Sequence, residues 1–184
     1  MSQIARQLRR GKAGFSLIEL VIVAVIVAIL TLIAVPFFRG TIVQRRMSGA
    51  ASQILGDIRQ MQSSAIAQGR MYRLVTGTHT GVNPIKSNQY CIQWSADQGN
   101  TWTPSDLNAG CTWVNLPVLY PNTGMGFSIK DNPEAATLTE VRFNSRGLAS
   151  HPTNTSFPFK IDITTTGENP KRIQIFRTGG TKAP

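Results

Sequence analysis

The pattern of hydrophobic and polar positions divides the chain into three parts. The first is an apolar run from Leu20 to Phe38, 19 residues without a charge, in which Thr31 is the only polar side chain. As an α-helix this run would be roughly 28 Å long, which is close to the hydrocarbon thickness of a bilayer. The pattern therefore predicts one membrane-spanning helix.

The second part has the period of an amphipathic helix. Apolar residues recur at spacings of three and four along one stripe: Val43, Met47, Ala50, Ile54, Ile58, Met61 and Ala65. The opposite face carries charged residues: Arg45, Arg46, Asp57 and Arg59. We expect one helix that begins at Phe15, ends near Gln68 and is stopped by Gly69, with its apolar stripe packed on a sheet.

The third part alternates with a period of two and is interrupted by turns rich in Gly, Pro, Asn and Asp. Seven stretches predict strands: 72–78, 89–94, 112–119, 126–130, 137–144, 157–164 and 172–178. The sequence shows no internal repeat, low-complexity tract or second linker. The predicted fold class is therefore α+β, with one long helix laid on a β-sheet domain.

The segment before the apolar run is basic, with Arg6, Arg9, Arg10 and Lys12. A cleaved secretory signal is the alternative to a retained helix. However, the apolar run exceeds the ~7–15 residues of a signal h-region, and no A-x-A-like cleavage site follows it. Because the basic flank of a span stays in the cytoplasm, we expect the N-terminus inside and the C-terminal domain outside.

Glu19 is a lone acid at the head of this apolar region. A charge at the edge of a bilayer helix needs a partner, and the run itself offers none. The α-amino group of a neighbouring chain would serve, if a cut between Gly14 and Phe15 created a new N-terminus close to Glu19. The alternative is an ordinary single-span anchor with a stray acid.

The stretch "KAGFSLIEL" (12–20) resembles the class III signal of type IV pilins and pseudopilins: a glycine, an aromatic first residue of the mature chain, and a glutamate at its fifth residue. Pro36 falls where those pilins carry a helix-kinking proline. The resemblance implies the pilin fold, a long N-terminal helix packed on an antiparallel β-sheet domain. It also implies that a prepilin peptidase cleaves after Gly14 and N-methylates Phe15 on the cytoplasmic side. Glu19 would then pair with the N-terminus of an adjacent subunit in a filament.

Two further stretches narrow the resemblance. Residues 55–74 are similar to the helix end and first strand of the GspH/FimT pilins, and "VRFNSRGLAS" (141–150) is similar to their strand followed by an Arg-Gly turn. They imply a minor pilin or minor pseudopilin. The expected organisation is a leader (1–14), a transmembrane helix (15–38), its amphipathic continuation (39–69) and a periplasmic β-rich domain (70–184).

Cys91 and Cys111 are the two cysteines, and both lie in the part of the chain expected outside the cytoplasm. A disulfide can persist there. Closing a loop of this length would stabilise the fold by about 3 kcal/mol through chain entropy. The alternative is two unpaired buried thiols.

The sequence favours a protein without catalytic activity, cofactor or metal. His79 and His151 stand in loop-like stretches outside any H-E-x-x-H or C-x-x-C context. Asp131, Asn132 and Glu134 suggest a Ca²⁺ ligand set, but the EF-hand spacing is absent, and a solvated turn is the better interpretation.

Charge is the remaining distinctive feature. The chain has a net charge of +10, and removing residues 1–14 would leave +6. Residues 141–184 hold seven basic against two acidic residues, a balance that suits DNA as a partner. The candidate DNA-binding residues are Lys171, Arg172, Arg177 and Lys182. Some GspH/FimT members act in DNA uptake through a Gly-Arg-x-Arg motif in the tail, which is absent here, so a solvated basic face or one that meets acidic filament neighbours is the alternative.

We therefore expect a minor subunit that lies in the inner membrane and then at or near the tip of a type IV pilus-like filament, where it primes assembly. The alternatives are a DNA-binding minor pilin for uptake and a tip pseudopilin of type II protein secretion. The resemblance implies as partners other major and minor pilins or pseudopilins, the prepilin peptidase and the inner-membrane assembly platform.

Overall fold

A computed structural model describes residues 15–80, 82, 86, 88–121, 123–134, 136–153 and 156–183, and it leaves the side chains of 35–39 undescribed. The chain divides into two compact units, one that ends at Thr41 and one that begins at Ile42. Gly14 lies outside the described residues, and Pro36 is described only as part of a helix.

One long helix, α1, runs from Leu17 to Gln68. It ends where predicted, because Gly69 takes a positive φ of 63° that side-chain-bearing residues rarely adopt. In the second unit the predicted apolar stripe is buried from Met47 to Ala65, and Val43 is half-buried. The amphipathic pattern therefore located the buried face of the helix correctly.

The second unit contains two antiparallel five-stranded sheets and one short helix. The first sheet has the order β3-β2-β1-β6-β7 and the second the order β10-β9-β8-β4-β5. The strands are β1 (Met71–Thr76), β2 (Gln89–Ser95), β3 (Val114–Asn115), β4 (Gly126–Lys130), β5 (Thr137–Leu138), β6 (Glu140–Phe143), β7 (Ala149–Ser150), β8 (Phe159–Thr164), β9 (Lys171–Ile175) and β10 (Thr181–Lys182). The short helix α2 spans Leu116–Leu119.

One hydrophobic core joins the α1 stripe with both sheets. Its strand residues alternate with period two, as in Val141 and Phe143 of the first sheet and Phe159, Ile161 and Ile163 of the second. Across this core, the Tyr90 hydroxyl of β2 donates a hydrogen bond of 2.5 Å to Asp57 Oδ2 of α1. Burial and the neighbouring Asp57 carboxylate raise the pKa of Tyr90. A second, smaller cluster lies around the two cysteines: Val75, Val82, Cys91, Leu107 and Cys111.

The prediction of a strand over 112–119 is wrong in its second half. Only Val114–Asn115 pairs with β2, and the chain then turns into α2. The side chain of Asn115 accepts a hydrogen bond from Val118 N at 3.3 Å, which caps the turn. Pro117 has no N–H to donate to a sheet but is well tolerated in the first turn of a helix.

The stretch 137–144, predicted as one strand, is two strands in different sheets. Leu138 pairs with Ile129 in the second sheet, whereas Glu140 pairs with Val75 in the first. Thr139 lies at the crossing, and its carbonyl accepts a hydrogen bond from Thr76 N at 2.8 Å. The sequence also gave no prediction for the two-residue strands β7 and β10, which are too short to show a period.

Candidate assembly and partner-binding sites

The N-terminal end of α1 presents the residues expected to act in assembly. Phe15 is 81% exposed, and Glu19 lies in the first turn of the helix. The carbonyl of Ser16 accepts hydrogen bonds from Glu19 N at 3.0 Å and from Leu20 N at 3.2 Å. A carboxylate in the first turn is favoured by the helix dipole, and it is also available to a cation that approaches this end.

The apolar stretch Leu17–Ala34 is long and hydrophobic enough to cross a membrane. Large apolar side chains are exposed along the whole stretch, with exposed fractions from 45% at Val21 to 82% at Leu17. The hydroxyl of Thr31 donates a hydrogen bond of 2.7 Å to the carbonyl of Val27, so its polar group is satisfied within the helix. An apolar surface of this extent is stable only in lipid or against other apolar helices.

Of the four candidate DNA-binding residues, Arg172 is already engaged. Its Nε lies 2.6 Å from Asp162 Oδ1, and its Nη1 lies 2.8 Å from Glu134 Oε1. Burial disfavours the charged form of Asp162, but the hydrogen bond and positive charge of Arg172 outweigh that effect and lower the pKa of Asp162. Arg172 is therefore a partner of two carboxylates of its own domain.

The other three candidate residues are spread over the surface. Lys171 lines a cleft of 100 Å³ beside Ser48 and Leu55 of α1. Arg177 is exposed in the turn after β9. Lys182 is exposed on β10 and shares a shallow 210 Å³ cleft with Arg172. The fold brings Lys182 and Arg172 together but does not gather all four side chains into one site.

Sequence reasoning missed a buried charge network on the outer face of the first sheet. Glu140 is 2% exposed, and its Oε2 lies 2.8 Å from Arg73 Nη1 and 3.4 Å from His79 Nε2. Its Oε1 lies 2.6 Å from Arg142 Nη2. Burial opposes ionisation of Glu140, but the hydrogen bond from His79 and the charges of Arg142 and Arg73 outweigh it and lower the pKa to about 2. The signal for this network was the pair of charged residues Glu140 and Arg142 at alternate positions of β6, together with Arg73 in the neighbouring strand β1.

Residues 96–113, which we call the strap, cover part of this face. The ring centroid of Trp102 lies 4.1 Å from Arg73 Cζ and 5.2 Å from Arg142 Cζ, so the ring contacts both guanidinium groups. Cys111 at the end of the strap is joined to Cys91 of β2 by a disulfide, with 6.1 Å between the Cα atoms. The strap is thus attached to the sheet by a covalent bond and by stacking on the charge network.

The carboxylates that suggested a Ca²⁺ ligand set have other contacts. Glu134 lies 2.9 Å from Lys160 Nζ and also contacts Arg172. Asp131 Oδ1 accepts a hydrogen bond of 2.8 Å from Ala136 N. Among the described residues, no group of three or more His, Cys, Asp or Glu side chains is placed to hold a metal ion.

The sequence matches models of known protein families. A family model described as type II transport protein GspH matches residues 50–179, and one described as the prokaryotic N-terminal methylation motif matches residues 9–35. No curated protein sequence matches the chain.

Three solved structures are similar at low sequence identity. A crystal structure of the minor pseudopilin EpsH from the type II secretion system of Vibrio cholerae has a TM-score of 0.51 at 14% identity, and the match covers 76% of this chain and 93% of that one. A second EpsH structure has a TM-score of 0.50 at 10% identity, covering 76% and 96%. The type IV minor pilin FimU of Pseudomonas aeruginosa has a TM-score of 0.49 at 13% identity, covering 77% and 94%. At these identities the likeness to EpsH is one of fold.

Proposed function

Because the chain belongs to the GspH family of minor pilins and pseudopilins, we propose that it is a minor subunit that assembles at or near the tip of a type IV pilus-like filament and helps to prime it. The observation that carries the proposal is the N-terminal segment. It combines a methylation motif over residues 9–35, a lone acid in the first turn of α1 and an exposed apolar stretch, Leu17–Ala34.

In this proposal the prepilin is inserted with its N-terminus in the cytoplasm and its β-rich domain in the periplasm. A prepilin peptidase cuts between Gly14 and Phe15 and methylates the new α-amino group. The cut removes the basic leader and leaves the whole apolar stretch in the mature chain. The subunit then leaves the inner membrane for the filament through the assembly platform, together with other pilins or pseudopilins.

Glu19 has the central role in assembly. In the apolar surroundings of packed helices an unpaired carboxylate is costly, whereas the α-amino group of Phe15 in an adjacent subunit would neutralise it. This pairing sets the axial position of one subunit on the next. The apolar side chains of Leu17–Ala34 then exchange lipid for neighbouring helices.

The proposal is tested by Glu19→Ala, with Arg45→Ala as the matched control because Arg45 is an exposed charge on the same helix. We expect the Glu19 variant to insert in the membrane and to be cleaved normally but to be absent from sheared filaments, and the control to be incorporated. Membrane fractionation, N-terminal sequencing and immunoblotting of the filament fraction measure the three steps. Normal incorporation of the Glu19 variant would overturn the role given to this residue.

A second candidate function is DNA binding for uptake, which the positive charge of the mature chain favours. Arg177 and Lys182 form no ion pair with a carboxylate among the described residues. The test is duplex DNA binding by the full chain in detergent across a salt series, compared with Arg177→Ala/Lys182→Ala. Binding that persists near physiological salt and weakens in the double variant supports uptake. Binding that disappears by physiological salt would contradict a role in DNA uptake and would leave the filament role as the supported function.

A third candidate is a tip pseudopilin of type II secretion that contacts exported protein. The fold likeness to EpsH fits this function and the pilus function equally, because both classes share the long helix and β-rich domain. Co-purification of the tagged subunit with secreted proteins, compared with Glu19→Ala, separates the two. Enrichment of exported proteins that requires an intact Glu19 would favour the secretion machine.

A further inference from the structure

Three segments of the second unit meet at Gln62 of α1. The turn after β6 contacts it through Gly147, whose carbonyl accepts a hydrogen bond of 3.1 Å from Gln62 Nε2. The turn between β9 and β10 packs closely against Gln62 and Gly147. A Cβ placed on Gly179 of this turn would collide with Gln62 Nε2 and with the carbonyl of Gly147. The peptide N–H of Ala149 also donates to the carbonyl of Arg177 at 3.0 Å.

Hydrogen bonds within each turn define the backbone geometry at this meeting point. Asn144 Oδ1 accepts from the peptide N–H groups of Arg146 and Leu148, each at 3.0 Å. In the other turn, Gly179 N donates to the carbonyl of Phe176 at 2.8 Å, and Phe176 N donates to the carbonyl of Gly180 at 2.9 Å. The backbone groups at the centre of the surface are therefore hydrogen-bonded within the two turns.

Each of the three segments contributes an exposed arginine: Arg59, Arg146 and Arg177. Arg59 is three residues before Gln62 and thus on the same face of α1. None of the three forms an ion pair with a carboxylate among the described residues. Residues 59–66, 144–149 and 176–180, which build the surface, contain no acidic residue. We call the surface that Arg59, Arg146 and Arg177 form around Gln62 the arginine junction.

Two large apolar side chains flank the arginine junction. Ile66 is 56% exposed, and its Cδ1 lies 2.7 Å from the position that a Cβ on Gly147 would occupy. Phe176, which opens the turn between β9 and β10, is 39% exposed. On its other side the junction borders a 350 Å³ polar cleft lined by Arg146, Asn144 and Gln98.

We propose that the arginine junction is a docking surface for a protein partner that presents carboxylates beside an apolar side chain. Protein interfaces are enriched in arginine and aromatic residues and depleted in lysine, and this surface has three arginines, Phe176 and Ile66 but no lysine. Arginine also forms two parallel hydrogen bonds with a carboxylate. A DNA-binding surface would instead continue as a basic stripe, but Lys171 and Lys182 line other clefts. The proposal does not depend on the pairing of Glu19.

The test replaces Phe176 in the full chain by photoreactive benzoylphenylalanine in living cells of the source organism. Ala109, an exposed position on the strap, receives the same residue as a control. We expect light to produce a protein adduct at position 176 and not at 109. Mass spectrometry should find aspartate or glutamate in the partner's cross-linked peptide. An adduct level at 176 no higher than at 109, or a peptide without carboxylates, would overturn the proposal.

The charge contribution is tested by Arg146→Glu/Arg177→Glu in the same cross-linking strain. The adduct should fall about tenfold, the loss expected when two exposed arginine–carboxylate pairs are removed. Arg45→Glu/Lys182→Glu changes the net charge equally away from the junction and should leave the adduct unchanged. Equal loss in both variants, or loss in neither, contradicts the proposal, and a nuclease-sensitive adduct would assign the surface to nucleic acid instead.

Thermal melting of each purified variant in detergent serves as the control for correct folding. If the glutamate pair melts earlier than the parent, Arg146→Gln/Arg177→Gln replaces it, because this pair removes the positive charge without adding repulsion within the surface. A loss of several-fold in the glutamine pair with unchanged melting supports the proposal. Full retention of the adduct in the glutamine pair would show that Arg146 and Arg177 do not bind the partner.

Discussion

Replacing Glu140 by glutamine removes the carboxylate that contacts Arg73, Arg142 and His79 under the strap. The side chains of Glu140 and Arg73 are 3% and 10% exposed, so neither is well hydrated. Glutamine keeps the shape of the carboxylate but leaves the Arg73 guanidinium with the neutral Gln93 Oε1, to which its Nε donates a hydrogen bond, and the ring of Trp102. Removing one member of a buried ion pair costs more than the pair itself stabilises, since the remaining charge stays buried.

The size of the effect follows from the pKa of Glu140, which falls from an ordinary 4.5 to about 2 in the folded chain. Each pKa unit of difference between the folded and unfolded chains corresponds to about 1.4 kcal/mol, so ionised Glu140 contributes about 3 kcal/mol at pH 7. Because the folded pKa lies below the unfolded one, this contribution is complete above about pH 5 and disappears as the pH falls towards 2. Glu140→Gln should therefore lower the free energy of unfolding by about 3 kcal/mol at pH 7 and by much less near pH 3.

The assay is urea unfolding of the full chain in detergent at pH 7 and pH 3, followed by the fluorescence of the tryptophans, all of which lie in the second unit. Glu134→Gln is the matched control, since Glu134 also contacts two basic side chains but at the surface. Its loss should be clearly smaller. Equal losses in the two variants, or a Glu140→Gln loss that is the same at both pH values, would refute the electrostatic account of this network.

Two further predictions concern the stability of the second unit. Cys91→Ser/Cys111→Ser should lower the free energy of unfolding by about 3 kcal/mol, because the bridge closes a loop of about 20 residues; reductant should lower the melting temperature of the parent but not of the variant. Gly167 and Gly179 both have φ of 83°, but only a Cβ at Gly179 would meet other atoms. Gly167→Ala should cost about 1 kcal/mol, and Gly179→Ala should cost at least about 2 kcal/mol more in the same unfolding assay, because it adds overpacking. Equal costs would mean that the contact with Gln62 is not tight.

The sequence predicted the helix well because a long helix is specified locally. The stripe from Met47 to Ala65 repeats the same spacing over five turns, and Gly69 supplies the conformation that ends it. The division of 137–144 between two sheets was not predictable in this way. Period-two alternation is identical whether a residue pairs in one sheet or the other, so nothing local distinguishes Leu138 from Glu140.

The charged residues show a second limit of sequence reasoning. Net charge counts Arg172 and Arg177 equally, but the fold pairs the first with Asp162 and leaves the second exposed. Likewise, a charged residue at alternate positions of a strand predicts a solvated face. The face with Arg73 and Glu140 is instead buried, because a segment about 30 residues further along the chain from Arg73 places Trp102 over it. Only the tertiary fold decides which charges are neutralised.

The placement of charge also narrows where the second unit can bind a partner electrostatically. On the outer face of the first sheet, Arg73 and Arg142 form ion pairs with Glu140 under the strap. On the second sheet, the basic side chains of Lys130, Lys160 and Arg172 contact Asp162 or Glu134. A carboxylate that approaches any of these paired side chains must compete with its internal partner and separate an existing pair. The three arginines of the junction have no such partner among the described residues, so the same ion pair yields more binding free energy there.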